Sequence, residues 1–559
     1  YDIPNTAKSL KDSAALCPAT LSCTSHLHCS YNLKHIKRSN MTSFSVRAKL
    51  TPRDPTDTAA VQAVDCPICH GFTQPNLIQL HELVQSCRSC AGCYFFQGLI
   101  IALTRAGFDI PLGSSTPLFL SSWSLWGPEH FLTVARCELQ KFMHWQAPTI
   151  LAEAEHFEIF SLPGDKCPWP KVPIAKLTSG DTSSLACISQ LQAHLARCMR
   201  EHKSCSSIEH VELPTRVLEI HDAEGDELKI RLKVTNGEVG RYICLSHRWL
   251  EGKTLTTTTS TMGARTAGIP WADLPKVFQE AITVTHKLGF RYIWIDSLAI
   301  NQEKSSGDWL REAPKMAQYY QNSSLTISAA ESAESLFYRF PDEAQIVWNV
   351  QPPERFQQSG YKVGLRKPLP HDVSALHQRG WVYQEHILSP RIAHFGKELI
   401  WECSELTSCE CGRLPLPTAS GKSALRDAWD IGNVVNAYGE DVDEKNPERF
   451  DFPVIKLIHC RWLDIIAHYS RRTLTYGSDI FPALAGLTKQ FQLKYNEEYC
   501  AGLWKETLGV GLLWRACDPN GHPKPVDWRA PSWSWASTTS PVDYYHLIIA
   551  FELTTHTFR

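Results

Sequence analysis

A histidine and a carboxylate each follow a short apolar run, and they are the side chains best suited to chemistry. His247 comes after the run 242–245, and Asp296 comes after the run 292–295. A histidine titrates near neutral pH, so His247 can act as a general base that takes and returns a proton. Asp296 can orient an imidazole, as the third member of a catalytic triad does. Both also have structural interpretations, in which His247 hydrogen-bonds its loop and Asp296 caps the next helix.

The neighbours of His247 extend this candidate site. Arg248 adds a fixed positive charge that suits a carboxylate, phosphate or enolate oxygen, and Ser246 and Trp249 flank the same turn. In parallel α/β sheets, ligands bind in the crevice beyond the carboxyl ends of the strands. We therefore predict a small-molecule site where these apolar runs end, with Ser246, Arg248 and Trp249 contacting the ligand.

The order of the surrounding elements predicts the sheet that holds this site. Strands are predicted at 242–245, 292–295 and 325–328, with helices at 273–289 and 308–320. Pro314 falls inside the second helix and should kink it or delay its start. This alternation is typical of a parallel sheet with right-handed crossovers, so the fold class is α/β.

Two pairs of cysteines have the spacing of zinc ligands. Cys66 and Cys69 form one pair, Cys87 and Cys90 form the other, and 17 residues separate the pairs. Two-residue spacing lets both thiolates of a pair reach one tetrahedral ion. A structural zinc and a packing role for these thiols both remain open, and Cys93 and His70 are spare ligands. No glycine motif that cradles a nucleotide is present, so no other cofactor is indicated.

Composition and periodicity divide the chain into five regions. They are an irregular N-terminal arm at 1–60, a helical, cysteine-rich region at 61–210, an α/β core at 211–340, an irregular linker at 341–378 and a mixed α+β extension at 379–559 that packs on the core. The helical assignment depends on patterns such as 77–83 and 191–199, and the linker assignment depends on five prolines.

Charge and cysteine content restrict the partners and the compartment. Against 56 Lys and Arg stand 58 Asp and Glu in 559 residues, so nucleic acid and anionic membranes are not expected partners. No apolar run is long enough to span a bilayer. The 20 cysteines are spread along a long chain, unlike those of small secreted scaffolds. We expect a cytoplasmic protein with reduced thiols, whose partner is a small molecule or another protein.

The central segment resembles the fungal heterokaryon-incompatibility (HET) domain. The motifs that carry this resemblance are Tyr242–Leu250, Leu274-Pro275, Trp294–Gln302, Glu312 with Met316, Leu325–Ile327, Arg379–Glu385 and Arg529–Ser537, preceded by Cys198, His202 and Cys205. They follow one another in the family's order. The resemblance implies a core distantly similar to the flavodoxin-like TIR fold and a role in non-self recognition and programmed cell death.

One position in these motifs departs from the family in a way that affects the chemistry. The family usually has Cys where this chain has Ala299. A cysteine there, beside His247 and Asp296, would complete a set of nucleophile, base and orienting group. Either that cysteine is never catalytic, or this chain has lost it, or it was exchanged to trap a bound ligand. Arg248 also replaces a cysteine of the family.

Further candidates enter through the resemblance. The likeness to TIR domains implies a carboxylate that stabilises an oxocarbenium-like ribosyl centre while nicotinamide leaves NAD, and Glu312 is one candidate. A salt bridge or a solvated carboxylate is its structural alternative. Arg379, Gln384 and Glu385 follow a loop into a helix, and we expect Arg379 and Gln384 to contact the ligand. Glu385 either faces the same crevice or pairs with Arg379.

Two functions are therefore open. In the first, the protein is a cell-death effector that acts by NAD cleavage or by contacts with partner proteins. In the second, it is a biosynthetic enzyme of fungal secondary metabolism, with His247 as the general base for a small polar or polyketide-like substrate. The chemistry would be of the acid/base or the Cys–His type, and inactive if Ala299 marks a lost nucleophile.

Overall fold

The computed structural model of the protein describes residues 66, 76–78, 86–105, 118–121, 131–142, 145–150, 155–168, 172–203, 205, 210–222, 228–250, 252, 254–339, 345–367, 369, 371, 375–413, 454–518, 522, 525 and 527–544. The predicted irregular arm at 1–60 lies outside the described residues.

The helices occur in the central and C-terminal parts of the chain as well as near its start. They are α1 (Ala91–Arg105), α2 (Leu185–Glu201), α3 (Thr259–Ala267), α4 (Lys276–Lys287), α5 (Asp296–Ala299), α6 (Asp308–Glu312), α7 (Met316–Gln321), α8 (Gly380–Leu388), α9 (Val454–Tyr469), α10 (Ala485–Tyr495) and α11 (Leu508–Gly511). Among the described helices, none has both the length and the apolar composition needed to cross a bilayer.

The described strands belong to two large sheets and three small two-stranded ones. They are β1 (Asn76–Ile78), β2 (Leu118–Ser121), β3 (Phe131–Phe142), β4 (Trp145–Ile150), β5 (Glu155–Ser161), β6 (Val211–Glu212), β7 (Arg216–His221), β8 (Lys229–Val234), β9 (Val239–Gly240), β10 (Tyr242–Ser246), β11 (Tyr292–Trp294), β12 (Leu325–Ala329), β13 (Gln345–Val350), β14 (Tyr361–Arg366), β15 (Arg391–Phe395), β16 (Leu399–Cys403), β17 (Thr407–Cys409), β18 (Tyr499–Cys500), β19 (Leu503–Trp504), β20 (Trp514–Ala516) and β21 (Val542–Tyr544).

An eight-stranded mixed sheet carries the predicted site. Its strand order is β17-β16-β15-β12-β10-β11-β7-β8. β10 pairs in parallel with β11 and β12, and β12 pairs in parallel with β15, whereas the outer pairs are antiparallel. The predicted parallel arrangement of the runs 242–245, 292–295 and 325–328 is confirmed, and the fold is α/β with a mixed sheet. A TIR-like core stays an expectation of the resemblance.

Apolar residues cover both faces of the parallel strands. All five residues of β10 are buried, as are all five of β12. Ile243 and Leu245 pack against α2 and α4, while Tyr242 and Cys244 pack on the other face with Trp294 and α7. Burial on both faces is usual for parallel strands, because helical crossovers lie on both sides of the sheet. Only the ends of such strands are then available to a ligand.

The helices that follow β10 and β11 have boundaries that the sequence explains. α4 begins directly after Pro275, which suits the start of a helix, and its chain turns at Gly289 with φ +78°. The predicted helix 308–320 is interrupted at 313–315 by a turn of 3-10 helix that contains Pro314. The predicted kink is thus confirmed, and it separates α6 from α7.

The second large sheet corrects two expectations. Its order is β1-β2-β3-β5-β14-β13, with β4 on β3, and all of its pairs are antiparallel. The region 61–210 was expected to be helical, but besides α1 and α2 it contributes five of these strands. The region 341–378 was expected to be an irregular linker, but it contributes β13 and β14. The helix expected from 77 to 83 is also wrong at its start, since β1 occupies Asn76–Ile78.

Candidate functional site

Ser246 and Glu385 form the buried centre of the candidate site. Ser246 is the last residue of β10, and its Oγ donates a hydrogen bond of 2.6 Å to Oε2 of Glu385 on α8. Both side chains are buried. A carboxyl group therefore lies at the carboxyl end of a parallel strand, where ligands of α/β sheets bind.

The surroundings of Glu385 tune it for proton transfer at neutral pH. Burial raises the pKa of Glu385 to about 7, against its ordinary value of 4.5. The hydrogen bond from Ser246 lowers this pKa, and the negative charge of Asp296 raises it. Smaller lowering effects come from Tyr320 and Arg379. A carboxyl group with a pKa near the working pH can both give and accept a proton.

His247 faces the opposite side of the sheet from Ser246, as alternation along a strand requires. Its ring meets that of Phe278 edge-on at 5.0 Å between centroids, and its Nδ1 is 3.8 Å from Oδ1 of Asp296. Burial lowers the pKa of His247, the negative charge of Asp296 opposes this, and the positive charge of Arg379 adds to it. Among the described residues, Nε2 of His247 has no hydrogen-bond partner. A neutral imidazole with an unpaired nitrogen can accept a proton.

A small cavity adjoins His247. It has a volume of about 180 Å³ and is lined by His247, Arg248, Leu250, Thr254, Pro275, Lys276, Val277, Phe278, Ala333 and Glu334. Arg248 is exposed at this cavity. Ligand pockets usually measure roughly 300–1,000 Å³, so this one fits only part of a ligand. The rest of such a ligand would extend out of the cavity past the exposed side chain of Arg248.

Asp296 is held from two sides at the end of β11. Nε1 of Trp249 donates to its Oδ2 at 3.0 Å, and the backbone N–H of Ser297 donates to its Oδ1 at 2.6 Å. The side chain of Asp296 keeps about a fifth of its surface exposed. Trp249 therefore positions this carboxylate through its indole. The negative charge of Asp296 acts on Glu385 on one face of the sheet and on His247 on the other.

The two other predicted ligand-contacting residues have separate surroundings. Arg379 stands at the N-cap of α8, and its Nη1 donates to the backbone oxygen of His247 at 3.4 Å. Gln384 is buried, and its Oε1 accepts a hydrogen bond of 2.7 Å from the backbone N–H of Gly486. Arg379 thus lies beside the candidate site, whereas Gln384 connects α8 to α10.

Glu312 lies in a hydrogen-bonded network of its own. Its carboxylate accepts from the hydroxyl of Tyr319 at 2.6 Å, from Oγ1 of Thr215 at 3.1 Å and from Nζ of Lys315 at 2.9 Å. Within the described part of the chain, no hydrogen bond or ion pair joins Glu312 to His247. These partners favour the structural interpretation that the sequence left open.

Ala299 packs in an apolar cluster rather than against His247. It is buried at the end of α5, in one cluster with Trp294, Met316 and Tyr320. Its backbone oxygen accepts from Nε of Arg216 at 2.5 Å. A side chain at 299 therefore lies on the face of Tyr242 and Cys244, opposite to the imidazole.

Sequence reasoning missed Phe278 and Tyr320 as neighbours of the site. Phe278, on α4, packs edge-on against the ring of His247. The hydroxyl of Tyr320 donates to the backbone oxygen of Leu245 at 3.4 Å, and Tyr320 also lowers the pKa of Glu385. Both belonged to predicted helices with apolar spacing, which indicated burial. Nothing in that spacing indicates which polar group a buried aromatic residue will touch.

The structure brings Cys and His side chains together in several places. Within the described residues, the groups whose ligand atoms lie within 4.8 Å of one another are Cys198, His202, Cys205 and Cys403; His371, Glu398, Cys409 and Cys411; Cys66, Cys90 and Cys93; and His377, His386 and His394. Of the predicted zinc set, Cys66 and Cys90 come together with Cys93, Cys87 lies outside this group, and Cys69 lies outside the described residues. Groups able to hold a metal are therefore present, with Cys93 at the place expected for Cys87.

Comparison with known proteins agrees with the motif-based resemblance. Residues 242–385 match the sequence model of the family described as heterokaryon incompatibility protein (HET). No curated protein and no solved structure matches the chain. The matched segment begins at β10 and ends at Glu385, so it spans Ser246, His247, Asp296 and Glu385.

Proposed function

Because residues 242–385 carry a HET domain, we propose that the protein is a heterokaryon-incompatibility effector that promotes cell death through a small-molecule site at the strand ends. The observation that carries the proposal is the buried Glu385. Its pKa is raised to about 7, and its carboxylate accepts a hydrogen bond from the hydroxyl of Ser246. Keeping a carboxyl group partly protonated at neutral pH costs stability. Such tuning is frequent where a group does acid/base work.

We propose cleavage of the bond between nicotinamide and ribose in NAD as the reaction. Asp296 follows β11, and Glu385 reaches the end of the neighbouring strand β10 from α8 through its hydrogen bond with Ser246. Bond breaking at a sugar carbon uses such a pair of carboxyl groups. Nicotinamide leaves as a neutral molecule with the electron pair of its bond to the sugar carbon, so it needs no proton. Glu385 takes a proton from the water that attacks this carbon to give ADP-ribose, and Asp296 stabilises the positive charge that develops on the sugar. Arg248 and Arg379 are the cations that would hold the phosphates, since a guanidinium pairs with two phosphate oxygens at once.

Glu312 serves as the matched control for Glu385. Both are buried glutamates of the same domain, but Glu312 is paired with Lys315 and Tyr319. We assign Glu312 a structural role and Glu385 the catalytic one.

The test measures NAD consumption by the purified full chain and growth arrest on its expression in a fungal host. We expect Glu385→Gln to lower the rate of NAD consumption about 10²-fold or more, because a general acid/base contributes that much. Glu312→Gln should keep the rate within a few-fold. If both variants are equally active, or if the wild-type chain does not consume NAD, the proposed reaction is wrong.

A second function is favoured by the unpaired Nε2 of His247, which belongs to a residue that lines the cavity. In it, the protein is a biosynthetic enzyme of secondary metabolism, and His247 is a general base for a substrate whose acidic proton enters the cavity. His247→Ala would then abolish turnover of that substrate, while NAD levels and host growth would be unaffected by the wild-type chain. Growth arrest that depends on Glu385 would exclude this alternative.

The compartment follows from the chemistry of both proposals. We place the protein in the cytoplasm, where NAD or a biosynthetic intermediate is available and thiols stay reduced. Protein partners that relay the death signal would be additional to the small molecule. Fractionation of host cells, with detection of the full chain, tests the location.

A further inference from the structure

Cys198, His202, Cys205 and Cys403 form a compact set of four ligand groups away from the candidate site. Their ligand atoms lie within 4.8 Å of one another. Nδ1 of His202 is 3.3 Å from Sγ of Cys403 and 3.9 Å from Sγ of Cys205. Ligand atoms at 2.0–2.3 Å around a tetrahedral zinc ion are roughly 3.4–3.8 Å apart. The spacing of the four side chains is thus that of ligands around one ion.

Local structure explains how three of these side chains converge. Cys198 lies in the last turn of α2, and His202 is the C-cap, whose backbone N–H bonds the oxygen of Cys198. Residues four apart on a helix share one face, so the thiol and the imidazole point the same way. Cys205 follows three residues later, after the helix has ended, and is buried. The short spacing is typical of one half of a zinc site.

The fourth ligand comes from a distant part of the chain. Cys403 is the last residue of β16, and 201 positions separate it from His202. α2 packs on this strand, since the ring of His194 stacks on Trp401 with 5.6 Å between centroids. That packing places the end of the helix over the end of the strand.

We propose that Cys198, His202, Cys205 and Cys403 bind one structural Zn²⁺. Three thiolates and an imidazole suit Zn²⁺ and are poor ligands for Mg²⁺ or Ca²⁺. Four protein ligands leave no open coordination position, so this ion would not activate water or substrate. The inference is independent of the proposed function, because none of the four residues belongs to the site around Glu385.

Arg391 supplies the charge that such a centre needs. This residue is only 1% exposed, and its Nε donates to Sγ of Cys198 at 3.2 Å. Arg391 also pairs directly with Cys403 across β15 and β16. Three thiolates and one Zn²⁺ leave one net negative charge, which the buried guanidinium neutralises. Hydrogen bonds from neighbouring groups orient metal ligands and tune the ion.

The ion would hold α2 on the edge half of the sheet. It would close a loop of about two hundred residues, and cross-links that close long loops restrict the unfolded chain most. Binding free energy at a structural zinc site also adds directly to folding free energy. Removal of the ion should therefore lower the stability of the whole described domain.

The test measures zinc in the full chain, purified without chelator and without a metal-affinity tag. The chain has other cysteine groups, so zinc content is compared between variants by mass spectrometry of the metals. Cys403→Ser should lose about one equivalent relative to wild type. Cys187→Ala is the matched control, because Cys187 is a buried thiol of the same helix outside the group of four. It should keep the wild-type content.

A second measurement covers the case in which Cys403→Ser fails to fold. Cys403→His keeps four ligands, so it should retain zinc, and in the cobalt-loaded chain its thiolate charge-transfer absorption should fall by roughly a third, as one of three sulfur ligands is lost. Wild-type chain without zinc, folded Cys403→Ser with unchanged zinc, or an unchanged cobalt spectrum in Cys403→His would overturn the proposal. A disulfide between any two of Cys198, Cys205 and Cys403 in the purified chain would also overturn it.

Discussion

Ser246 and His247 are adjacent in sequence, but their side chains enter different surroundings. The hydroxyl of Ser246 reaches Glu385, whereas the imidazole of His247 packs on Phe278. Asp296, at the end of the neighbouring strand, acts electrostatically on both titratable groups. Two buried groups with oppositely displaced pKa values are thereby placed around one carboxylate. The residue type predicted His247 as a candidate, but the pKa of Glu385 depends on burial that sequence does not display.

The raised pKa of Glu385 predicts how stability changes with pH. Since its pKa is about 7 in the fold and near 4.5 when exposed, the folded chain holds an extra proton between these values. The stability that this group contributes is therefore present below about pH 4.5 and is lost as the pH rises through 7. The full loss is roughly 3 kcal/mol. Glu385→Gln removes the titration, so the variant should gain stability relative to wild type from pH 5 to pH 8.

Urea unfolding of both chains at pH 5 and pH 8 measures this difference directly. Other groups titrate in both chains and cancel in the comparison. Parallel pH profiles for wild type and Glu385→Gln would show that the carboxyl is ionised in the fold.

The position of Ala299 predicts the reactivity of a cysteine introduced there. Ala299 is 2% exposed and packs among Trp294 and Met316, on the face of the sheet opposite to His247. Since a thiol in apolar surroundings has a raised pKa, we expect Ala299→Cys to be alkylated slowly. Iodoacetamide labelling of the native chain with mass-spectrometric readout tests this, with the exposed Cys517 as the fast reference in the same sample. Labelling faster than Cys517, with a gain in NAD consumption, would restore the nucleophile hypothesis.

At the level of elements, the parallel core could be predicted because each strand is a short apolar run that ends in a polar residue. β13 and β14 could not be predicted in this way, because the five prolines of residues 341–378 indicated irregular structure and each strand has only six residues. Their order in the sheet depends on β5, which pairs with β14 although the paired residues are more than two hundred positions apart. Pairing partners at such separation are set by tertiary packing, which local patterns do not encode.

The turn after α5 is fixed by a buried ion pair between elements. Arg216, at the start of β7, pairs with Asp308, the first residue of α6, and donates to the backbone oxygen of Ala299. Asp308 also accepts the backbone N–H of Asn301 at 2.8 Å. Arg216→Met should lower the free energy of unfolding by about 3 kcal/mol, because it leaves a buried carboxylate poorly compensated.

Arg311 is the control for this ion pair. It also bonds Asp308, at 3.1 Å, but its side chain is 63% exposed. Exposed pairs contribute about 0–1 kcal/mol, so Arg311→Met should unfold near the wild-type denaturant midpoint. Equal midpoints for the two variants would mean that Arg216 does not stabilise the turn after α5.

At the scale of the whole molecule, the site depends on chain beyond the matched family segment. α8 presents Glu385 to β10, while Tyr383 and Ile387 of the same helix pack among Trp462, Ile466 and Leu487 of the C-terminal region. The sequence predicted a C-terminal extension that packs on the core, but its contacts with α8 could not be derived from periodicity. The same holds for Cys403 and His202, which are neighbours in space and 201 positions apart. Local spacing predicts which residues share a helix face and leaves distant partners undetermined.

Gly486 gives the sharpest test of this dependence. A Cβ at Gly486 would lie 2.2 Å from the Cβ of Ala317 and 2.6 Å from Oε1 of Gln384, the neighbour of Glu385. Ala317 has no rotamer that relieves the clash, so α10 must move away from α7 and α8. Gly486→Ala should therefore cost about 1–3 kcal/mol in stability and also lower NAD consumption. At Gly509, a helical glycine of α11, a Cβ meets nothing within 4 Å, so Gly509→Ala should leave both properties near wild type. Thermal unfolding and NAD assays on the two variants measure this, and equal behaviour of the pair would show that the C-terminal region does not hold α8 in place.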